Sequence, residues 1–409
     1  MKKIYLTVAL SLLVIAGFAQ KRNVNSAYNE SWAEAPNFDN ARKLIAEAMV
    51  DTTTANWVKT WAAAGLVEIR FFEVELAKSM LGSIDEATMY NALKNSYNYF
   101  TKAVALDSLP DVKGKVKPKY TKEIKQKLND NKDYFYYGGG FFFGKGKDKE
   151  AYEFFNIYDE LCRQPFMASL NINCSDTMHM QSRYFAAVMA LKSGDNTAAL
   201  KALKRSKDDN FNGLDVYNYI AYIYGQNKDT VNQIEIFKEG LQKFGADANR
   251  EEYSFMKRII NIYINRNEIP KAIDMLQVAL KAEPKDYEYW KVLGSLYYDQ
   301  KDDVNAVKSL EKAIEVNPDY ADAYGEIGRI YYNAAINENN KSNDIKDNLL
   351  YRKAKEEVVK PAFKKAAPFY EKALELKPEE TGFLYNLKNI YYNINDGKNL
   401  ERIEKLLNK

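Results

Sequence analysis

Apolar positions in the last 160 residues recur at intervals of three and four, in paired runs separated by short polar turns. That spacing predicts amphipathic helices joined two by two. In EYWKVLGSLYYDQKDDVNAVKSLEKAIEVNPDY (288–320), Trp290, Leu293 and Tyr297 share one face of a first helix. Ala306, Leu310 and Ala313 share one face of a second. Gly294 sits inside the first helix, where glycine costs about 1 kcal/mol relative to alanine, so its presence needs a compensating contact. No strand-like alternation of useful length competes, and the expected fold class is all-α.

The pairs repeat. Tyr263, Tyr297, Tyr331 and Tyr391 are separated by 34, 34 and 60 residues, and Ala272, Ala306 and Ala366 by 34 and 60. Ala279, Ala313 and Ala373 keep the same steps, as do Pro284, Pro318 and Pro378. Four columns sharing one period and one excess of 26 residues mark a solenoid of stacked supersecondary units. The residues Trp290, Leu293, Gly294, Tyr297, Ala306, Leu310, Ala313 and Pro318 resemble the tetratricopeptide repeat, whose unit is two antiparallel helices, A and B. The resemblance implies a right-handed α-solenoid of about eight such pairs. It also explains Gly294, because a larger side chain at a tight A/B crossing overpacks it by about 1–3 kcal/mol.

Extending the register gives units 132–165, 180–213, 214–247, 253–286, 287–320, 321–380 and 381–409. Residues 37–131 read as divergent helices of the same kind, with WAAAGLVE (61–68) and YFTKAVALD (99–107) as two helices of one unit and NARKLIAEAM (40–49) as a lone helix B. Residues 20–36 are expected to be a linker. The excess falls at about 337–361 and reads as an elongated hairpin, in which Pro368 should kink helix B.

The chain opens MKKIYLTVALSLLVIAGFAQKR, with two lysines before an apolar run too short to span a bilayer. This pattern predicts a secretory signal peptide over 1–19, cut after about Ala19. No cysteine follows it, so a lipoprotein is not expected. The protein is expected to be exported, most simply to the periplasm of a Gram-negative envelope, with no integral membrane segment after signal removal. In an oxidising compartment Cys162 and Cys174 could pair, although spacing alone leaves that open.

Composition removes further classes. Lys+Arg 59 against Asp+Glu 56 provides no basic footprint for nucleic acid. GGFFFGKG has the glycine and lysine spacing of a phosphate-binding loop, but Gly146 stands where the hydroxyl residue belongs and no strand precedes it. The single histidine, His179, lies near Cys174 and Asp176 without a second cluster to complete a metal or nucleophilic site. No catalytic residue, cofactor or metal is expected, and the protein is not expected to be an enzyme. The lysine-rich stretch 113–127 reads as a solvated linker and helix start.

What remains is the inner face. The resemblance implies that helix A lines a groove, through Tyr222, Gln226, Lys257, Asn261, Asn265, Ser295, Tyr298, Asp299, Arg329, Tyr332, Asn333, Tyr385, Asn389, Tyr392 and Asn393. Amides can bond an extended peptide backbone while tyrosine rings supply contact area. A carboxylate clamp is not expected, because Asp322 and Glu326 stand where basic residues belong. The expected function is a non-enzymatic scaffold or adaptor for a protein or peptide partner. An outer-surface glycan-binding protein built on helical repeats is the alternative.

Overall fold

A computed structural model describes residues 20–79, 82 and 84–408; the expected signal peptide lies outside them. Among the described residues all regular structure is helical, with no β-strand. The chain divides into two compact units between Asp229 and Thr230, inside the expected repeat 214–247.

In the first unit, α1 (20–31) occupies most of the segment expected as a linker. Polar neighbours mask its pattern: Val24, Ala27 and Ser31 are fully buried at helical spacing. The two apolar residues join a core with Ala41 and Ile45 of α2 (Phe38–Val50) and Ala63 and Val67 of α3 (Val58–Ser79). Helix α3 pairs along its length with α4 (Glu86–Asp107), each 22 residues long. The sequence between WAAAGLVE (61–68) and YFTKAVALD (99–107) is thus largely helical extension. After a loop come α5 (Thr121–Asp130), α6 (Asp133–Gly144), α7 (Asp148–Leu161), α8 (Thr177–Lys192), α9 (Asn196–Ser206) and α10 (Gly213–Gln226). Helix α6 packs on α7, α7 on α8 and α8 on α9, around a core that includes Phe135, Phe142, Phe154 and Phe155.

A disulfide joins Cys162 to Cys174, with Cα atoms 5.7 Å apart, across the turn between α7 and α8. Beneath it lies a buried ion cluster. Arg183 donates to Asp159 at 2.8 Å, to Asp209 at 2.6 Å and to the Cys174 carbonyl at 2.8 Å. Arg163 and Arg205 also approach Asp159, which is fully buried. Buried charges persist only when paired in this way, and removing one partner typically costs about 3–5 kcal/mol.

The second unit contains α11 (Thr230–Phe244), α12 (Phe255–Asn265), α13 (Ile269–Ala282), α14 (Tyr287–Asp299), α15 (Asp303–Val316), α16 (Ala321–Asn343), α17 (Asn348–Ala354), α18 (Lys360–Leu376), α19 (Thr381–Asn393) and α20 (Gly397–Leu407). Each helix from α11 to α16 packs on the next, α16 then packs on α18, and α18 and α19 continue the series to α20. Within this unit the architecture is an α-solenoid. Ala272, Ala306, Ala366, Ala279, Ala313 and Ala373 are all buried where helices cross. A Cβ added at Gly294 would lie 2.7 Å from Leu310 Cγ and 3.0 Å from the Ala306 carbonyl oxygen. That crossing is the contact that offsets the helical cost of the glycine. Pro284, Pro318 and Pro378 follow the ends of α13, α15 and α18 by two residues.

A second column runs through both units. Gly146, Gly194, Lys228, Asn267, Lys301 and Asn395 all have positive φ, between 57° and 84°, and each is the fifteenth residue of its repeat. One left-handed residue turns each of these helices A towards its helix B. The next residue in three of these turns, Asp195, Asp302 or Asp396, caps helix B by accepting from a backbone N–H at 2.9–3.1 Å.

The excess near the C-terminus is a long hairpin. Helix α16 runs through Asn343, and after a short turn the chain returns through α17, a π-turn (Lys355–Val359) and α18. The π-turn has a local cause. Pro361 has no N–H, and its ring would press on the carbonyl four residues back in a regular helix. In the wider turn the Lys360 N–H reaches the Lys355 carbonyl instead. Pro368 lies exposed inside α18, so the Lys364 carbonyl it leaves without a helical donor is on the wet side.

Candidate partner-binding groove

Tyr222 and Gln226 belong to the first unit, one turn apart and both exposed on α10. The other thirteen expected groove residues lie in the second unit, on α12, α14, α16 and α19. They hold the positions that the 34-residue register assigns to one helix face, and the structure joins six of them into two clusters.

In the first, Asn333 of α16 donates from Nδ2 to the Tyr298 hydroxyl of α14 at 2.7 Å. The Arg329 guanidinium lies 4.4 Å from the Tyr298 ring centroid, within cation–π range, and is held by Glu326 on its own helix. In the second, Asn389 of α19 donates to the Tyr332 hydroxyl of α16 at 2.6 Å, and Asn393 donates to Asn389 Oδ1 at 2.7 Å. Burial raises the Tyr332 phenol above its ordinary value, opposed by the Asn389 bond. A tyrosine on one helix A therefore receives an amide from the next, twice in succession. The rings of Tyr385 and Tyr392, 64% and 70% exposed, project beyond this framework on α19.

The remaining residues stand apart from both clusters. Lys257 pairs with Glu288 at 3.4 Å, both exposed. Ser295 bonds the Lys291 carbonyl of its own helix at 3.2 Å. Asn261 and Asn265 are exposed on α12. Asp322, one of the two residues incompatible with a carboxylate clamp, is bound by Lys377 at 2.5 Å.

Between α14, α16 and α18 lies a concavity of about 870 Å³, lined by Tyr298, Asp299 and Asn333 together with Asn337, Lys341 and Lys365. The last three were not among the expected residues. Asn337 and Lys341 continue the Asn333 stripe at four-residue steps, so the helical period carried past the usual end of helix A would have found them.

His179, Cys174 and the glycine run of α6 have structural roles. His179 is buried in the first turn of α8, its Nδ1 2.9 Å from Asp176 and its ring 4.5 Å from Tyr158. Asp176 also accepts the His179 backbone N–H at 2.8 Å, and Cys174 is committed to the disulfide. The glycine run of GGFFFGKG is the C-terminal half of α6, a helix rather than a phosphate-cradling loop. Among the described residues no group of three or more potential ligands could hold a metal ion, and no helix is long and apolar enough to cross a membrane.

Two family models match the chain: "TPR repeat" over residues 294–334 and "Tetratricopeptide repeat" over 258–308. No curated protein matches. Among solved structures, the C-terminal part of a TPR repeat-containing protein from Cytophaga hutchinsonii is 18% identical, covering 66% of this chain and 93% of that one, with a TM-score of 0.40. A MamA protein is 20% identical over 48% of this chain and 88% of that one, with a TM-score of 0.34. YrrB, described as a TPR protein with an unusual peptide-binding site, is 16% identical over 54% and 97%, with a TM-score of 0.32. Residues 258–334 are thus similar to tetratricopeptide repeats, within an all-α architecture of packed helix pairs.

Proposed function

We propose that this protein is a non-enzymatic scaffold of the bacterial envelope that holds an extended protein segment along the helix-A face of its second unit. The observation that carries the reading is the tyrosine–amide ladder. Asn333–Tyr298 and Asn389–Tyr332 fix the ring positions in advance, so little side-chain entropy is lost when a partner docks. Tyr385 and Tyr392 then offer large aromatic contact area with polar tips, the residue chemistry enriched at protein interfaces. Tetratricopeptide repeats are interaction modules in general, which supports a binding role over catalysis.

Export is part of the same proposal. The basic start and short apolar run of residues 1–19 support a cleaved signal, and the Cys162–Cys174 bond suits an oxidising compartment such as the periplasm. Affinity capture from the native envelope with wild-type protein and with the Tyr385→Ala/Tyr392→Ala double variant tests the binding reading. Both side chains are exposed, so the variant should fold normally and lose a specific partner. Retention of every partner would refute binding along this face.

A further inference from the structure

In α6 three glycines follow one another, and only two have a packing reason. A Cβ at Gly138 would come within 2.7 Å of the Phe154 ring, and one at Gly139 within 2.7 Å of the Phe155 ring. A Cβ at Gly140 would meet nothing within 4 Å. Gly140 therefore carries glycine's helical penalty with no crossing to offset it. What it opens is a cavity of about 240 Å³ walled by Tyr136, Phe143, Tyr184 and Phe185, with Lys192 at its edge. In the repeat register Tyr136, Gly140 and Phe143 hold positions 5, 9 and 12 of one helix A, and Tyr184 and Lys192 hold positions 5 and 13 of the next. These are the inner-face positions that carry the amides and tyrosines of the second unit.

The walls make little hydrogen-bonding demand. The Tyr136 hydroxyl already donates to Gln181 at 3.0 Å, and that of Tyr184 to Asp215 at 3.3 Å. A dry apolar cavity of about 150 Å³ admits benzene, so this one accommodates a larger ring. It is smaller than the roughly 300–1,000 Å³ that enclose a whole drug-sized ligand. Phe143 is half exposed at the rim, and Lys192 Nζ lies 5.1 Å from its ring centroid. Among the described residues no carboxylate forms an ion pair with Lys192, so its charge faces the mouth without a partner anion.

We infer that this cavity is a socket for one large apolar side chain of a partner polypeptide, tryptophan, phenylalanine, leucine or methionine, flanked in the partner by an aspartate or glutamate that meets Lys192. A buried anchor filling a desolvated pocket is where interface binding energy concentrates, and a rim charge adds steering and selects the partner. The inference rests on the scaffold reading above but uses a different unit and different residues.

The probe is a fluorescein-labelled peptide, Ala-Ala-Glu-Trp-Glu-Ala-Ala with blocked ends, titrated into the full chain. Saturable binding is expected, weakened at least tenfold when tryptophan becomes alanine and weakened again when both glutamates become lysine. Gly140→Leu should fill the socket and weaken binding at least tenfold with no loss of thermal stability. Lys192→Glu should reverse the preference between glutamate and lysine flanks. Absence of saturable binding, or unchanged affinity in Gly140→Leu, would overturn the socket. Free indole-3-acetate binding as tightly as the peptide would overturn its assignment to a polypeptide. Partner capture through Tyr385 and Tyr392 is read separately, so either site can fail while the other stands.

Discussion

The Asn333 side chain donates to the Tyr298 hydroxyl across two successive helices A, and this bond orients a ring on the proposed binding face. Each bond of this kind typically contributes about 0.5–1.5 kcal/mol. In a double-mutant cycle of Tyr298→Phe and Asn333→Ala, followed by urea unfolding, the two changes should couple by at least about 0.5 kcal/mol. Additive costs would mean the ladder does not hold the rings in solution.

Glycines in equivalent helices should respond with opposite signs. Gly294→Val places atoms against Leu310 and the Ala306 carbonyl and should cost about 1–3 kcal/mol by overpacking. Gly140→Ala meets open space and should stabilise by up to about 1 kcal/mol through helix propensity. Thermal unfolding of both variants checks the pair; the same sign in both would contradict the crossing geometry.

The left-handed turn residues make a further paired test. Lys301 at φ 62° bears a strain that glycine lacks, so Lys301→Gly should stabilise by about 0.5–1 kcal/mol. Gly194→Ala, at φ 84°, should destabilise by about 1 kcal/mol. Chemical denaturation midpoints report both.

Much of the second unit is legible in the sequence because tyrosine, alanine and proline landmarks repeat at points where crowding allows little choice. The turn column is harder to see. Glycine and asparagine advertise a left-handed residue, but Lys228 and Lys301 do not, and only backbone geometry reveals that they share the role. Helix α1 is hidden by its polar majority, since burial of Val24 and Ala27 depends on α2 and α3 supplying the other wall. The open space at Gly140 is hidden for a related reason. A glycine reads as a crossing until a distance shows that nothing approaches it. Of the expected groove residues, the tyrosines and amides of the two clusters on α14, α16 and α19 were brought together, whereas Lys257 meets Glu288 of the next helix A in an exposed pair and Ser295 bonds within its own helix.

Acid should loosen the first unit through Asp107. This nearly buried carboxylate accepts backbone N–H bonds from Lys119, Tyr120 and Thr121 at 2.8–2.9 Å and the Thr121 hydroxyl at 2.8 Å. Burial raises its pKa, the four donors lower it, and the net shift is downward. A folded pKa below the unfolded value of about 3.9 means the stabilisation is present above that pH and is lost as pH falls through the folded pKa. Asp107→Asn should cost on the order of 2 kcal/mol at neutral pH and flatten the decline of melting temperature below about pH 4. An unchanged acid limb would contradict this assignment.

Site-specific photocrosslinking in intact cells of the native host tests the central claim most directly. A photoreactive phenylalanine analogue at position 385 or 392 reports the helix-A face, and one at Val278 or Val304, both exposed on helices B, reports the opposite side. The account predicts a discrete partner adduct from 385 and 392 and none from 278 and 304. Adducts from the helix-B positions alone would contradict it.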